Sequence, residues 1–216
     1  MATIQDVIDA SIARYQDPDE TLWPDAELLA YANKAVSYLN QLLIQRNDPL
    51  GLSSDTITTV DGTETYDLPS GFIAMYRGKG CDQSGMWLDS TFLWPVRETE
   101  KANYYDADEG EPKYYYIIDG YIGLLPVPDD EYTINYRYFA AQDALELSTP
   151  STMPWGSVFD EAISMFMTSL ANARGEMDVS MITQVYAELE RSALAVVSAR
   201  TPVRLRMNPR MKKRHR

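Results

Sequence analysis

Few side chains in this chain have the types and the spacing that catalysis requires. Its single cysteine is Cys81, and its single histidine is His215, the second-to-last of 216 residues. Ser-His-Asp and Cys-His triads, multi-cysteine or histidine-rich metal sites and haem ligation need more of these residues, or a histidine inside the fold. We therefore expect a protein that is not an enzyme and that binds no cofactor and no metal.

The acidic run Asp106-Ala107-Asp108-Glu109-Gly110-Glu111 is the densest set of possible metal ligands. A calcium loop of the EF-hand type needs a glutamate six residues after its glycine, where this chain has Tyr116. Gly78, Gly80 and Gly85 are followed neither by the Lys-Ser/Thr pair of a phosphate-binding loop nor by a helix. We interpret the acidic run as a solvated loop and the glycines as a turn.

Seven tyrosines in the middle of the chain could form an aromatic platform for a sugar or for single-stranded nucleic acid. Nucleic-acid platforms interleave aromatic with basic residues, but this stretch has only Lys113 and Arg137. Tyrosine also suits half-buried strands and subunit interfaces, which is the interpretation we favour. A carbohydrate-binding or cell-wall hydrolase domain that uses these strands and the loop carboxylates is an alternative. The tyrosines are Tyr114, Tyr115, Tyr116, Tyr121, Tyr132, Tyr136 and Tyr138.

Charge divides the chain into two parts of opposite sign. It has 19 basic and 32 acidic residues, and a net charge of −13. Eight of the basic residues and none of the acidic ones lie from Arg200 onward, which leaves residues 1–199 with a net charge of −21. An acidic body of this kind repels nucleic acid and other copies of itself, whereas a basic segment binds an acidic surface or a phosphate backbone.

The basic segment 201–216 is the candidate binding site. Apolar side chains alternate with arginines along it, and Pro202 and Pro209 favour an extended backbone. Extended, this segment reaches roughly 50 Å, enough to cross a neighbouring subunit. We predict an anchor that docks apolar side chains and pairs arginine with carboxylates; a disordered solubilising end and a nucleic-acid-binding module are the alternatives. The predicted anchor residues are Arg204, Leu205, Arg206, Met207, Arg210, Met211, Lys212, Lys213 and Arg214.

Two helices are predicted before the tyrosine-rich stretch. The first runs from Thr3 to about Tyr15, and Thr3 with Asp6 has the pattern of a capping box. The second opens with Pro24 in its first turn and runs to about Arg46. Apolar residues recur at spacings of three and four along both segments, which is typical of helices with one buried face.

Two further helices are predicted after it. The third has an apolar seam from Trp155 to Leu170 and ends at a glycine cap, Gly175. The fourth opens at Asp178 and ends before Thr201-Pro202. Its inward-facing residues are predicted to be Ile182, Val185, Tyr186, Leu189, Ala193 and Val196.

Between the helical segments the apolar period changes from 3.6 to 2, which is typical of strands. Hairpins are predicted over residues 56–68, with the turn at Asp61-Gly62, and over residues 114–125, with the turn at Asp119-Gly120. Further strands are expected at residues 72–76, 86–88 and 132–138. Residues 91–105 are ambiguous and could include a short helix interrupted at Pro95.

We therefore predict an α+β fold in which two N-terminal and two C-terminal helices pack as a four-helix layer, with an antiparallel β lobe inserted between them. The predicted units are helical residues 1–50, the β lobe 51–148, helical residues 149–200 and an extended basic tail 201–216. No run approaches the 18 or so apolar residues of a membrane span, and the first residues lack the pattern of a signal peptide. We expect no membrane contact.

Several short motifs also occur in a familiar order. In this order, over about residues 3–199, they resemble the head-to-tail adaptor proteins of tailed bacteriophages, of the head-completion or tail-tube-A type. The motifs are DAELLAYANKA at residues 25–35, YDLPSGF at 66–72, EPKYY at 111–115, IGLLPVP at 122–128, YTINYRY at 132–138 and Met153-Pro154 at the start of the third helix.

The resemblance implies a structural protein of the virion neck, a head-tail connector assembled in the host cytoplasm. It implies a dodecameric ring, with the helical layer against the portal protein, the β lobe toward a tail tube or nozzle protein, and the C-terminal arm docked into the portal. Double-stranded DNA would pass through the lumen during ejection without specific binding, and the acidic body suits such a lumen. The resemblance supplies no catalytic residue.

Overall fold

The computed structural model describes residues 2–15, 23–77, 85–104, 109–147, 151–176 and 179–200. The first helix, α1 (Ile4–Tyr15), begins at the predicted capping box. The backbone N–H of Thr3 donates to Asp6 Oδ2 at 2.7 Å, and the N–H of Asp6 donates to Thr3 Oγ1 at 3.3 Å. This reciprocal pair satisfies backbone amides that the helix cannot bond itself.

The second helix, α2 (Asp25–Arg46), ends where the sequence predicts. Pro24 is its N-cap rather than a first-turn residue, because its backbone is extended, with ψ 142°. At the other end Asn47 has a left-handed backbone with φ 50°, and its N–H donates to the carbonyl of Ile44 at 3.0 Å. Asparagine tolerates this conformation better than most residues, so the helix ends here.

The third helix, α3 (Asp160–Glu176), begins later than the predicted apolar seam. Trp155 and Gly156 have φ values of 61° and 63° within a short 3₁₀ helix, and a left-handed backbone cannot belong to a right-handed helix. Trp155 packs edge-on against Phe159, with 5.5 Å between ring centroids. The predicted cap, Gly175, lies inside α3.

The fourth helix, α4 (Val179–Arg200), presents the predicted inward face. Val185, Leu189 and Ala193 are buried, and Ile182 and Val196 are partly buried. Asp178, which was predicted to open this helix, lies outside the described residues.

All four helices share one hydrophobic core, because α3 packs against α1, α2 and α4. The N-terminal and C-terminal helices are thus held together although the β lobe separates them in sequence. The fully buried members of this core are Ile4, Ile8, Leu28, Ala32, Ala35, Leu39, Leu43, Phe159, Ile163, Met167, Ala171 and Ala193.

The described residues between α2 and α3 contain nine strands in two sheets. The first sheet has the order β1-β9-β4-β5, with β3 also paired to β9, and the second has the order β2-β8-β7-β6. The strands are β1 (Leu52–Thr58), β2 (Thr65–Asp67), β3 (Phe72–Met75), β4 (Met86–Leu88), β5 (Thr91–Phe92), β6 (Trp94–Pro95), β7 (Tyr114–Ile118), β8 (Tyr121–Leu125) and β9 (Thr133–Ala140).

The strands are antiparallel except for β6 and β7, which are parallel. The two sheets enclose a second core, separate from that of the helices. The chain is therefore α+β with antiparallel sheets, as the sequence predicts. The buried residues of this second core are Ile57, Met86, Leu88, Leu93, Tyr115, Ile122, Leu124, Ile134, Tyr136 and Tyr138.

The predicted hairpin over residues 56–68 is wrong. The Asp61-Gly62 turn exists, but β1 pairs with β9 and β2 pairs with β8, so the turn connects two sheets. Strand β1 forms seven residue pairs with β9, far more than the three residues of β2 could offer. The Tyr66 hydroxyl donates to the carbonyl of Thr63 at 2.8 Å and stabilises the segment that connects β1 of one sheet to β2 of the other.

The second predicted hairpin is confirmed, since β7 and β8 pair across Asp119 and Gly120, with φ values of 42° and 88°. Two residues with positive φ match the twist of the strands they join. Of the ambiguous residues 91–105, the described residues 91–104 include β5, β6 and a 3₁₀ helix (Glu98–Asn103), which we call the rim helix. Pro95 ends the two-residue edge strand β6, a position where its missing N–H is tolerated.

Candidate assembly interface

An apolar groove lies where the β lobe meets the C-terminal end of α2. Its volume is about 820 Å³, and its walls come from both sheets. Strand β3 and Phe139 form one side, and residues 115–117 of β7 form the other. Residues 95–98 and the last turn of α2, including Ile44, complete the groove. The groove is wide enough to receive a loop or an extended segment of another protein.

Two large apolar side chains of this groove are exposed. Ile73, the extra residue of the bulge in β3, is 48% exposed, and Ile117 of β7 is 39% exposed. Exposed apolar residues grouped in a concave surface are typical of an interaction site. The groove therefore has the character of an interface rather than of a fully formed core.

Two guanidinium groups lie at the rim of the groove. Arg77 follows the end of β3 by two residues, Arg97 lies just before the rim helix, and both are exposed. Glu98 also lines the groove, and Glu100 lies 3.9 Å from the Arg97 guanidinium. Because residues 1–199 have a net charge of −21, two exposed guanidinium groups beside one apolar groove favour a partner with carboxylates.

Three side chains hold the rim helix against the second sheet. The Tyr116 hydroxyl donates to Glu64 Oε1 at 2.5 Å, and Lys101 Nζ donates to the Tyr116 hydroxyl at 3.2 Å and is also paired with Glu64. The bond to Glu64 raises the pKa of Lys101, and burial, followed by the same carboxylate, raises the pKa of Tyr116. Arg97 and Glu98 thereby gain a fixed position.

The ring of Tyr116 fits only because residue 123 on β8 is glycine. A Cβ at Gly123 would lie 2.0 Å from Cζ and 2.3 Å from Cε1 of the tyrosine ring. The ring lies across the glycine and reaches Glu64 on the far side. Gly123 is thus required by close approach rather than by backbone conformation.

Three asparagines seven residues apart connect α2 to the lobe. Asn33 donates to the carbonyl of Leu145 at 3.2 Å and accepts from its N–H at 2.8 Å. Asn40, which is buried, donates to the carbonyl of Ala140 at 3.0 Å, and Asn47 binds the end of β3. Seven residues are close to two helical turns, so Asn33 and Asn40 lie on one face of α2, and Asn47 follows as its C-cap. This asparagine column positions the lobe, and its spacing is visible in the sequence although we did not predict its role.

Asn47 pairs with the backbone of Arg77, two residues beyond β3, as one residue of a neighbouring strand would. Its Oδ1 accepts from the backbone N–H of Arg77 at 3.1 Å, and its Nδ2 donates to the carbonyl of the same residue. The side-chain amide thus replaces both partners that an edge residue lacks. The contact fixes Arg77 at the rim of the groove.

Comparison with protein families assigns these features to a known class. The family model described as SU10 adaptor protein matches residues 2–210, nearly the whole chain. The chain belongs to the SU10 adaptor family. The resemblance to head-to-tail adaptors of tailed phages is thereby confirmed, and the match supports a structural role in the virion. A comparison with curated proteins finds no match for this chain.

The predicted anchor of this SU10 adaptor, residues 204–214, lies outside the described residues, as do Asp106 and Asp108 of the acidic run. Glu109 and Glu111 are exposed. Within the described ranges no group of three or more His, Cys, Asp or Glu residues could hold a metal ion. No helix in those ranges has the length and apolarity to span a bilayer.

The tyrosines serve the core more than a surface. Tyr115, Tyr136 and Tyr138 are buried in the core between the sheets, and Tyr116 is buried against Gly123 beneath the rim helix. Tyr121 is exposed. Four of the seven tyrosines are thus more deeply buried than the half-buried strands of the sequence interpretation, and these four are not available as a surface platform for a ligand.

Substitution of Asn47 should destabilise the SU10 adaptor through two separable effects. Asn47→Ala loses both bonds to Arg77 and forces a left-handed alanine, so we expect unfolding to become easier by about 2 kcal/mol. Asn47→Gly keeps the backbone conformation and loses only the bonds, at about 1 kcal/mol. Urea unfolding of both variants measures the difference. A glycine variant as stable as the wild type would mean that the bonds to Arg77 contribute nothing.

Alkaline pH should remove a contribution of Tyr132 to stability. Its hydroxyl donates to Asp129 Oδ1 at 2.7 Å, and this bond raises the pKa of Tyr132 to about 12 from its ordinary value of 10.0. Because the pKa is higher in the folded state, the contribution is complete below pH 10 and is lost as the pH rises through 12. Urea unfolding from pH 8 to 11.5 should show the wild type converging on Tyr132→Phe. The control is Tyr121→Phe, whose difference in free energy of unfolding from the wild type should not change with pH. A difference between the wild type and Tyr132→Phe that is equally constant would contradict this account.

Proposed function

We propose that this chain forms the ring beneath the portal of a tailed phage, joins the portal to the tail and lets DNA pass. The observation that carries the proposal is the family match, which includes both helical segments and the β lobe. The resemblance implies twelve copies in the ring, located in the neck of the virion.

In this proposal the chain has three functional parts. Residues 1–50 and 149–200 form the four-helix layer that faces the portal, and their shared core supports treating them as one unit. Residues 51–148 form the lobe that faces the tail tube or nozzle protein, and the groove provides this lobe with a surface for assembly. Residues 201–216 form the extended anchor.

The anchor binds the portal through two kinds of contact. Leu205, Met207 and Met211 dock as apolar side chains, while the basic residues between them pair with carboxylates of the portal. Charge supports this division, because eight basic residues lie beyond an acidic body that is unable to bind an acidic surface itself. The basic members are Arg204, Arg206, Arg210, Lys212, Lys213 and Arg214.

The acidic body supports passage of DNA without specific binding. Several of its basic residues already have partners: Arg14 is 2.5 Å from Glu161, Lys101 is paired with Glu64, and Arg137 lies over Trp87. In the alternative, a nucleic-acid-binding module, the contact with nucleic acid is made by the basic residues 201–216. That alternative predicts binding to DNA, whereas the adaptor predicts binding to the portal. Titration of the chain against each partner distinguishes the two.

Assembly should depend on the portal. Like charges on neighbouring bodies oppose ring closure at low salt, so the isolated chain should be monomeric at micromolar concentration. Light scattering measures this, and co-purification with the portal protein of the same phage tests the partner. A stable twelve-subunit ring of the chain alone in dilute low-salt solution would contradict this account of assembly.

A further inference from the structure

We propose that the groove receives the Val60 tip of a neighbouring copy, so that each copy binds the next around the ring. The Val60 tip consists of Val60, the Asp61-Gly62 turn and the acidic residues beside it. The inference rests on the proposed ring and assigns the surfaces that close it.

The tip is an exposed apolar knob on a fixed support. Val60 is 59% exposed, the highest fraction among the exposed large apolar residues of the described chain. Its N–H donates to the Tyr66 hydroxyl at 3.0 Å, and the N–H of Gly62 donates to the carbonyl of Pro128 at 2.9 Å. These bonds fix the knob before binding, which reduces the entropy lost on docking.

Carboxylates surround the knob. Asp61 follows it directly, and the Glu109 carboxylate lies 3.8 Å from the position that a Cβ would take at Gly62. The loop that carries Pro128 continues into Asp129 and Asp130, which are also exposed. An apolar side chain flanked by carboxylates complements the groove, which is apolar and has the exposed guanidinium groups of Arg77 and Arg97, together with Glu98, on its rim.

The knob cannot reach the groove of its own chain. The N–H of Thr59, which precedes the knob, donates to Tyr132 at the beginning of β9, whereas Phe139 near the end of β9 lines the groove. Seven residues of extended strand separate these points by roughly 23 Å. A contact between the knob and the groove must therefore join two copies, each through a different surface. Such head-to-tail contacts form a closed ring when the rotation that relates neighbouring copies returns to the first copy.

Disulfide trapping tests the contact directly. In a Cys81→Ser background, Val60→Cys and Ile73→Cys together place one thiol on the knob and one in the groove. A disulfide needs Cα atoms within about 7 Å, so this pair cannot close within one chain. Both positions are exposed, so the fold is preserved. The matched control combines Val60→Cys with Met165→Cys, an exposed apolar residue of α3.

The experiment uses the full chain co-expressed with the portal protein of the same phage, with rings verified by electron microscopy before oxidation. We expect a ladder of covalent multimers for the Val60/Ile73 pair and none for the control. Rings that yield only monomers, equal ladders from both pairs, or portal protein cross-linked to Ile73→Cys would overturn the proposed contact and leave the proposed ring intact. Absence of any ring would instead overturn the proposed function together with this contact.

Discussion

Removal of residues 201–216 should reduce binding to the portal at least 100-fold while the rest of the chain stays folded. The inward face of α4 ends near Val196, so we expect the helical core to fold without the deleted residues. Several charge-assisted contacts of about 0.5–3 kcal/mol each would be lost together with the apolar docking. Because about 1.4 kcal/mol changes affinity tenfold, two or three such contacts give the expected loss. Circular dichroism verifies the fold, and titration against isolated portal rings measures the binding.

The double variant Leu205→Ser with Met207→Ser separates an anchor from a nucleic-acid-binding tail. It keeps every positive charge and removes two apolar side chains, so portal binding should weaken and binding to duplex DNA should barely change. If the double variant binds the portal as the wild type does, while only the deletion loses DNA binding, then the anchor hypothesis is wrong and the nucleic-acid alternative replaces it.

Substitution of Gly123 by alanine should be among the most destabilising single changes in the lobe. The new Cβ would overlap the Tyr116 ring, whose hydroxyl is fixed by Glu64 and Lys101. Relief of the overlap requires the ring to leave its place and to give up both polar contacts. We expect unfolding to become easier by about 3–5 kcal/mol, the sum of overpacking and of hydrogen bonds to charged groups. Chemical denaturation measures the change.

Two further variants make this prediction specific. In Gly110→Ala the new Cβ would lie 3.5 Å from Pro126, an ordinary contact, so stability should hardly change. In the double variant Gly123→Ala with Tyr116→Ala the overlap is absent. Gly123→Ala should therefore lower the free energy of unfolding much less in the Tyr116→Ala background than in the wild type. Simple additivity of the two substitutions would show that they do not meet in the folded protein.

The features that the sequence predicts correctly are local ones. The Thr3 and Asp6 capping box, the end of α2 at Arg46 and the Asp119-Gly120 hairpin each depend on a few neighbouring residues. The α+β class follows from the change of apolar period, which is also a short-range pattern. These signals determine the elements but not the partners of the strands.

The features that the sequence did not predict depend on contacts between distant segments. Strand β1 pairs with β9, about 80 residues away, and the turn at Asp61-Gly62 therefore joins two sheets instead of one hairpin. The left-handed Trp155 interrupts an apolar seam whose period alone favours a helix. The groove was not predicted because its walls come from α2, β3 and β7, which only the packing of the lobe brings together.

The asparagine column shows where more could have been read from the sequence. Asn33, Asn40 and Asn47 recur at intervals of seven, the first two within α2 and the third as its C-cap. Asparagine is unfavourable inside helices, so two of them on one face of α2 indicate polar partners outside the helix. The identity of those partners, the backbones of Leu145, Ala140 and Arg77, requires the structure.

We propose that this chain is a ring-forming adaptor between portal and tail. Electron microscopy of the full chain co-purified with the portal protein of the same phage tests it most directly. The account predicts a ring of twelve copies beneath the portal, with the helices against it, the lobes pointing away and density for residues 201–216 on the portal surface. A portal that binds no copies, or a ring whose lobes rather than helices face the portal, would contradict it.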